Sequence, residues 1–513
     1  MASDRRPEGA RPGCRGPRRP ADPGRAGAAS PGNPPNAPGT PGASVPGGEA
    51  PDRADEAPGS VLETLSGRRI VLVVTGGVAA YKAAGLARLL VKAGAQVRTA
   101  MTEAGTRFVT PLTFEAVTGG ECCVSMWDRG QFEIAHVSWA RWAELAIVAP
   151  ATADFMAKMA AGLAGDFASS MLLASSAPVV VCPAMNSGML ANPATQANLR
   201  VLASRPGVRV LGSPEGPLAC GTSGAGRMAE PREIALEAAR VMGGGSLSGL
   251  GALVTSGATA EPWDDIRILT NRSSGRMGAE IARAAWVMGA EVTLLSGPLA
   301  EDAGLPEGQA FRGLRFGDCR DLLRHMQSLA GHADLVFMSA APADFRPSET
   351  VAGKIRKAGG VPEIALVPNP DVLKEVSRVK PPGSVWVGFA AEPGADLNAS
   401  GGDLNLSGPA AGCSETQDTG GGKSRHAQKT AGPGATEPGL RTGERALDSA
   451  RDKLRRKGLD FIAVNGTSAF GGDLTGISLL DSSGELVMKI PDGTPKFAAA
   501  WMLLKAAGLR LRP

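Results

Sequence analysis

Apolar and polar positions along this chain fall into alternating short and long blocks. Arg69–Thr75 (RIVLVVT) is an apolar run, followed by Gly76-Gly77 and by Ala79–Ala93, a helical stretch ended by Gly94. Gln96–Ala100, Leu145–Ala149 and Val179–Cys182 are further short runs bounded by breakers. Runs of this length predict strands of a sheet covered on both faces, and their alternation with helical blocks predicts an α/β unit. The pattern restarts at Ala252–Ser256, with a helix over Ala279–Met288 and strands at Glu291–Leu295, Ala333–Met338 and Val385–Ala390. Ile477–Leu480, Glu485–Lys489 and a helix from Thr494 read as a hairpin plus a closing helix.

The expected fold class is α/β, with two Rossmann-like or flavodoxin-like domains in tandem over 66–244 and 251–513. Composition removes two tracts from that scheme. The first 60 residues hold 13 of the 39 prolines and no Leu, Ile, Phe or Trp. Residues 393–445 are rich in Gly, Ser and Thr, with four leucines as their sizeable apolar residues. Neither tract can bury enough surface to offset ordering, so a disordered extension over 1–65 and a disordered insert over 393–445 are expected.

Charge excludes several classes of function. The net charge of +4 is interspersed, and arginines cluster only in the proline-rich head, among them Arg5, Arg6, Arg18 and Arg19. Basic residues do not interleave with aromatics as a nucleic-acid platform requires. No apolar run reaches the length of a membrane span, and the head lacks the apolar segment of a secretory signal. The seven cysteines form no CxxC pair, which fits a reducing compartment better than a disulfide framework or a zinc site. A cytoplasmic protein without nucleic-acid or membrane partners is expected.

Candidate chemistry gathers where strands hand over to helices, the place at which open α/β sheets bind ligands. Asn186, in the turn after Val179–Cys182, either reads a small polar group or closes its own turn. Gly76 and Gly77 let a phosphate approach backbone N–H groups, or serve the turn alone. With Thr102 and Pro150-Ala151-Thr152-Ala153 they form a rim of small and hydroxyl residues that suits a flat, phosphate-bearing ring system such as FMN. His136 precedes the Leu145–Ala149 strand; a lone histidine is more often a packed or capping residue than a catalytic one. Cys220 lies in a glycine-rich segment with Gly221, Gly224 and Gly226, which suits a mobile flap. In the second unit, Ser273, Ser274, Gly275 and Gly278 either cup a phosphate or cap their helix, with Asn271 beside them. Asp344 ends a strand, Lys354 opens a basic run, and Lys453 and Lys457 share one helix face.

The motifs TGGVAAYKA, His136, PATA, PAMN and LACGTSGAGRM, in this order, resemble the flavin-dependent cysteine decarboxylases. TSGATAEP, NRSSGRMG, ADFRP, KIRK, NPDVL, GFAAE and DKLRRKGLDFIAVN resemble a CTP-dependent ligase. Together they are similar to the bacterial bifunctional phosphopantothenoylcysteine decarboxylase/phosphopantothenate–cysteine ligases of coenzyme A synthesis. The resemblance implies FMN against Gly76, Gly77, Thr102, Pro150, Ala151, Thr152 and Ala153. It matches His136 to an active-site histidine, Asn186 to a substrate-binding asparagine and Cys220 to a flap proton donor. It implies CTP, with magnesium, at Asp344, Lys354, Pro370, Asp371, Val372, Leu373, Phe389, Lys453 and Lys457. Lys354 would serve acyl-cytidylate formation and Asn271 the attack by cysteine. The implied substrates are 4′-phosphopantothenate, L-cysteine and CTP, and the implied assembly is a homo-oligomer with decarboxylase trimers and ligase dimers. Leu190 stands where the family usually has Trp, and Arg276 where it has Lys. Two other readings remain open at this point: a chain with one active half, or a non-catalytic flavoprotein binding or regulatory subunit.

Overall fold

The computed structural model describes residues 61–127, 134–217, 223–308, 310–356, 362–392, 442–466 and 471–511. Its first sheet contains β1 (Arg69–Val74), β2 (Gln96–Met101), β3 (Cys122–Cys123), β4 (Leu145–Ala151), β5 (Val179–Pro183) and β6 (Val208–Val210). Their spatial order is β3-β2-β1-β4-β5-β6, with every pairing parallel. Each residue of β4 and β5 is buried, which is why both read as unbroken apolar runs. Pro183, expected to end the ladder, still pairs with Ala151 across a register shift, and Ala184 N–H then donates to Ala151. A small ribbon, β7 (Glu215–Pro217) with β8 (Ser223–Ala225), stands after this sheet.

The second sheet repeats the plan. It contains β9 (Gly251–Ser256), then, after the ribbon of β10 (Ala260–Pro262) and β11 (Ile268–Thr270), β12 (Glu291–Ser296), β13 (Phe311–Arg315) and β14 (Leu335–Met338). A second ribbon of β15 (Phe345–Pro347) and β16 (Leu366–Pro368) precedes β17 (Val385–Glu392), β18 (Phe461–Gly466), β19 (Leu474–Asp481) and β20 (Leu486–Pro495). The order is β13-β12-β9-β14-β17-β18-β19-β20, and only β19 and β20 run antiparallel to their neighbours. In both sheets the strand order therefore reverses between the first and fourth strands, β1/β4 and β9/β14, and such a reversal leaves a crevice at the carboxyl ends.

Several expected boundaries move. Val61–Leu65 form a 3-10 helix whose Val61, Leu62 and Leu65 are buried, so the extension assigned to 1–65 is too long. The helix Thr442–Arg456 starts inside the stretch assigned to the 393–445 insert. The closing helix begins at Lys496, because Thr494 still belongs to β20. The helix expected from Ala279 starts at Arg276, after a left-handed Gly275. The connection between the halves is also not a free linker. Leu247 is 1% exposed, and one continuous core runs from the helix Pro231–Met242 through Leu247 to Trp286, Val287 and Met288. Among the described residues no helix is long and apolar enough to cross a membrane.

Candidate active sites

The first crevice lies between the loops after β1 and β4. Thr75, 1% exposed, donates from Oγ1 to the carbonyl of Pro150 (2.6 Å) and accepts from the N–H of Thr152 (3.2 Å). Two loops that could splay are thereby locked together. At Gly76 no side chain fits, since a Cβ would collide with Ala104, whereas one on Gly77 would make an ordinary contact with Thr152 at 3.5 Å. Thr102 and Thr152 each open a helix as its N-cap, accepting from Gly105 N–H (3.2 Å) and Phe155 N–H (3.4 Å). Helix starts and their N–H groups therefore ring the crevice, which is the arrangement an anionic group favours.

Asn186 does the same after β5, its side-chain oxygen accepting from Gly188 N–H at 2.8 Å. The turn-closing reading of this residue is thus realised, and its amide nitrogen is not needed for that contact. The ribbon of β7 and β8 bends back over the same turn. Met185 N–H donates to the Gly226 carbonyl (2.9 Å), and Gly226, at φ +133°, sits so close that a Cβ would strike the Met185 carbonyl. Beside it, the Ser187 hydroxyl is buried, against the backbone of Gly224, without a hydrogen-bond partner among the described residues. Cys220, the expected proton donor, lies outside the described residues; after it, Gly226 is tied to Met185, the neighbour of Asn186. His136 occupies the first turn of the helix Ala135–Trp142, half-buried, and its imidazole makes no hydrogen bond to another described residue. Leu190 lines an open groove of about 360 Å³ with Pro183, Leu199, Arg200 and Val210.

The second crevice lies between the loops after β9 and β14, and these are zipped together. Ala341 N–H donates to the Gly257 carbonyl (2.8 Å), and Ala340 and Ala343 N–H donate to Thr255 Oγ1 (3.1 Å) and Thr259 Oγ1 (3.0 Å). Asn271 braces the zipper, donating from Nδ2 to the carbonyls of Ala341 (3.2 Å) and Pro342 (3.1 Å), just ahead of exposed Asp344. Asn369 N–H donates to the Asp344 carbonyl (2.8 Å), so the turn Pro370–Leu373 is carried to the same place. Asp371 caps the helix that follows and pairs with Lys457 at 3.0 Å. Lys453 lies one turn earlier on the same helix face, and Phe389 is half-buried in β17.

At the Ser/Gly loop, the side of Gly275 and Gly278 on which a side chain would stand faces the strand ends. A Cβ on Gly275 would meet Ser256 Oγ at 2.7 Å, and one on Gly278 would meet Ser256 Cβ at 2.6 Å and Ser339 Oγ at 2.7 Å. Both glycines face inward and let the helix seat directly on the strand ends. Arg276 is ion-paired to Glu301 and to Asp473 (2.9 Å), and also donates to the Gly471 carbonyl, so its charge is already engaged.

Lys354 is exposed and forms no hydrogen bond to the other candidates among the described residues. Its loop is pinned by a residue that sequence reasoning passed over. Buried Asp264 accepts from the N–H groups of Ile266 (2.8 Å), Arg267 (2.6 Å) and Ile355 (3.1 Å) and from the Arg267 guanidinium (2.6 Å). Burial pushes its pKa up, but these hydrogen bonds and the Arg267 charge outweigh that and hold it below the usual carboxylate range. Glu261 was missed as well: it is fully buried, and its Oε1 accepts from the Cys319 N–H (3.0 Å) at the start of the helix Cys319–Leu329. Only an acidic residue in an otherwise apolar strand context marks it in the sequence.

Comparison with known proteins divides the chain into the same two halves. Residues 58–242 match the family described as Flavoprotein, and residues 247–404 match the DNA/pantothenate metabolism flavoprotein C-terminal domain. The chain is 39% identical over 334 residues to the coenzyme A biosynthesis bifunctional protein CoaBC of Vibrio vulnificus (strain YJ016), covering 64% of this chain and 82% of that one. It is 41% identical over 334 residues to the protein of that name from Escherichia coli (strain K12), covering 64% and 81%. The corresponding values for Bacillus subtilis (strain 168) are 39% over 332 residues, 64% and 80%.

Proposed function

Since the chain belongs to the family of bifunctional coenzyme A biosynthesis proteins, we propose that it joins 4′-phosphopantothenate to L-cysteine with CTP and decarboxylates the product to 4′-phosphopantetheine. The observation that carries this reading is the pair of crevices, each at the point where the strand order of its own sheet reverses. One chain thus offers two separate anion-binding places, as two successive reactions on phosphorylated substrates require.

In the first half, the rim of Gly76, Gly77, Thr102, Pro150, Ala151, Thr152 and Ala153 would hold FMN, which supplies an electron sink that a simple carboxylate lacks. The locked Thr75–Pro150–Thr152 loops keep that rim free of bulky side chains. Asn186, in the turn after β5, is assigned to orient the substrate. His136 is assigned as base or orienter. Cys220 is assigned as the proton donor, a thiol being largely protonated yet willing to donate at neutral pH.

In the second half, Asp344, the Pro370–Leu373 turn, Phe389, Lys453 and Lys457 would hold the nucleotide, and Lys354 would meet charge building on departing pyrophosphate. Magnesium fits as an ion carried by triphosphate oxygens with few protein ligands. Asn271 is positioned beside Asp344 to serve attack by the cysteine amine on the activated acyl group. Homo-oligomerisation, with trimers of the first half and dimers of the second, and a cytoplasmic location belong to the same proposal.

The test is a coupled assay on the full chain. From 4′-phosphopantothenate, cysteine and CTP, pyrophosphate release followed by carbon dioxide release is expected. Pyrophosphate alone, or carbon dioxide only from supplied 4′-phospho-N-pantothenoylcysteine, would leave one active half. Neither product would reduce the chain to a binding subunit.

A further inference from the structure

The helix Pro231–Met242 of the first half ends against the last turn of the helix Arg276–Val287 of the second. The last carbonyls of a helix lack donors of their own. Here the N–H groups of Met288, Ala290 and Gly289 already serve Ala284, Ala285 and Trp286 (2.9, 3.0 and 3.0 Å), and the other half adds further donors at Trp286 and in the turn that follows the helix. The Arg240 guanidinium donates to the carbonyls of Trp286, Ala290 (3.2 Å) and Gly289 (3.1 Å), and lies over the Trp286 ring at 4.9 Å from its centroid. Leu247 N–H donates to the Met288 carbonyl (2.8 Å), and Gly243 packs so tightly that a Cβ there would strike the Val287 carbonyl. A fixed cation at this end also suits the helix dipole.

The opposite end of the same helix is the second crevice. Gly275 and Gly278 seat it on Ser256 and Ser339 with no room for a methyl group. Its 12 residues make a rod of about 18 Å, seated on Ser256 and Ser339 at one end and clamped at Trp286 and the turn after it at the other. A rod held so closely at the crevice answers to any freedom at its far end.

We propose that Arg240 is a positioning residue of the nucleotide crevice, supplied by the other half of the chain: it holds the helix Arg276–Val287 at the axial setting in which Gly275 and Gly278 meet Ser256 and Ser339. This rests on the ligase reading above. It assigns the first half a part in the second reaction, and it makes the joined chain more than two enzymes sharing a backbone.

The test compares full-length wild type with Arg240→Met and Arg240→Lys. In Arg240→Met, kcat for CTP-dependent pyrophosphate release should fall roughly 3- to 30-fold. Decarboxylation of supplied 4′-phospho-N-pantothenoylcysteine should stay within about twofold of wild type, because every hydrogen bond of the Arg240 guanidinium goes to the second half. Arg240→Lys, which keeps the charge but not the forked geometry, should recover part of the loss. Amide hydrogen exchange should quicken at Ala279–Ala282 as well as at Trp286–Ala290. Unchanged pyrophosphate release, exchange confined to Trp286–Ala290, or an equal fall in both activities would each overturn the proposal. If Arg240→Met does not fold, Arg240→Lys alone decides by the same criteria. A wild-type chain without ligase activity would sink the functional reading instead, and the exchange comparison would still judge the clamp.

Discussion

Gly278→Ala sets two large effects against each other. Gly278 lies inside a helix, where alanine is preferred by about 1 kcal/mol. Its Cβ, however, would stand 2.6 Å from Ser256 Cβ and 2.7 Å from Ser339 Oγ, some 0.8 Å short of an ordinary contact. Neither neighbour can yield freely, because Ser256 Oγ donates to the Gly275 carbonyl and Ser339 Oγ to the Thr255 carbonyl. Overpacking of this kind costs about 1–3 kcal/mol. The net change in stability is then about 0–2 kcal/mol, a small shift in the unfolding temperature. The catalytic change should be larger. The clash is relieved by lifting the helix start about 1 Å, and a misplacement of that size costs on the order of 100-fold in rate. Pyrophosphate release from CTP and 4′-phosphopantothenate, read beside calorimetry, separates the two. Gly85→Ala is the control: that helical glycine meets nothing nearer than Pro231 at 4.0 Å, so alanine should stabilise by up to about 1 kcal/mol and leave the rate alone. A folded Gly278→Ala protein within about threefold of wild-type ligation would refute the reasoning.

Two further outcomes follow from the same geometry. Gly226→Ala puts a methyl group against the Met185 carbonyl at a φ of +133°, so the flap base should move off Asn186. Decarboxylation of supplied intermediate should drop about tenfold or more while ligation is retained; loss of both would point to misfolding. Asp264 has a folded-state pKa below its unfolded value, so its contribution to stability is complete above the unfolded pKa, about 4, and disappears as pH falls through the folded pKa. The difference in unfolding temperature between wild type and Asp264→Asn should therefore be constant near neutrality and shrink below about pH 4. A difference that does not vary with pH would rule this out.

Much of the architecture was legible because periodicity and breakers are local. The buried strands β1, β4, β5 and β9 are apolar runs that admit no other covered-sheet reading, and the residues just after them were found as candidates for that reason alone. Thr102, Thr152, Asn186 and Asp371 all prove to be helix caps, a role their side chains declare in the sequence. The inward-facing glycines were not legible. A Ser/Gly loop before a helix looks the same whether or not its glycines meet a neighbouring strand. That contact depends on Ser339, 61 positions beyond Gly278.

The amino-acid order by itself determined two α/β units, their strand ends and the residue types that gather there, since these follow from patterns a few residues long. Only the tertiary structure decided that both sheets share one strand order, that Arg276 and Lys457 spend their charge on Glu301, Asp473 and Asp371, and that Arg240 reaches across the halves. Those outcomes join residues tens to hundreds of positions apart. The free energy of such contacts exists only once the chain has closed the intervening loops, and local pattern carries no record of it.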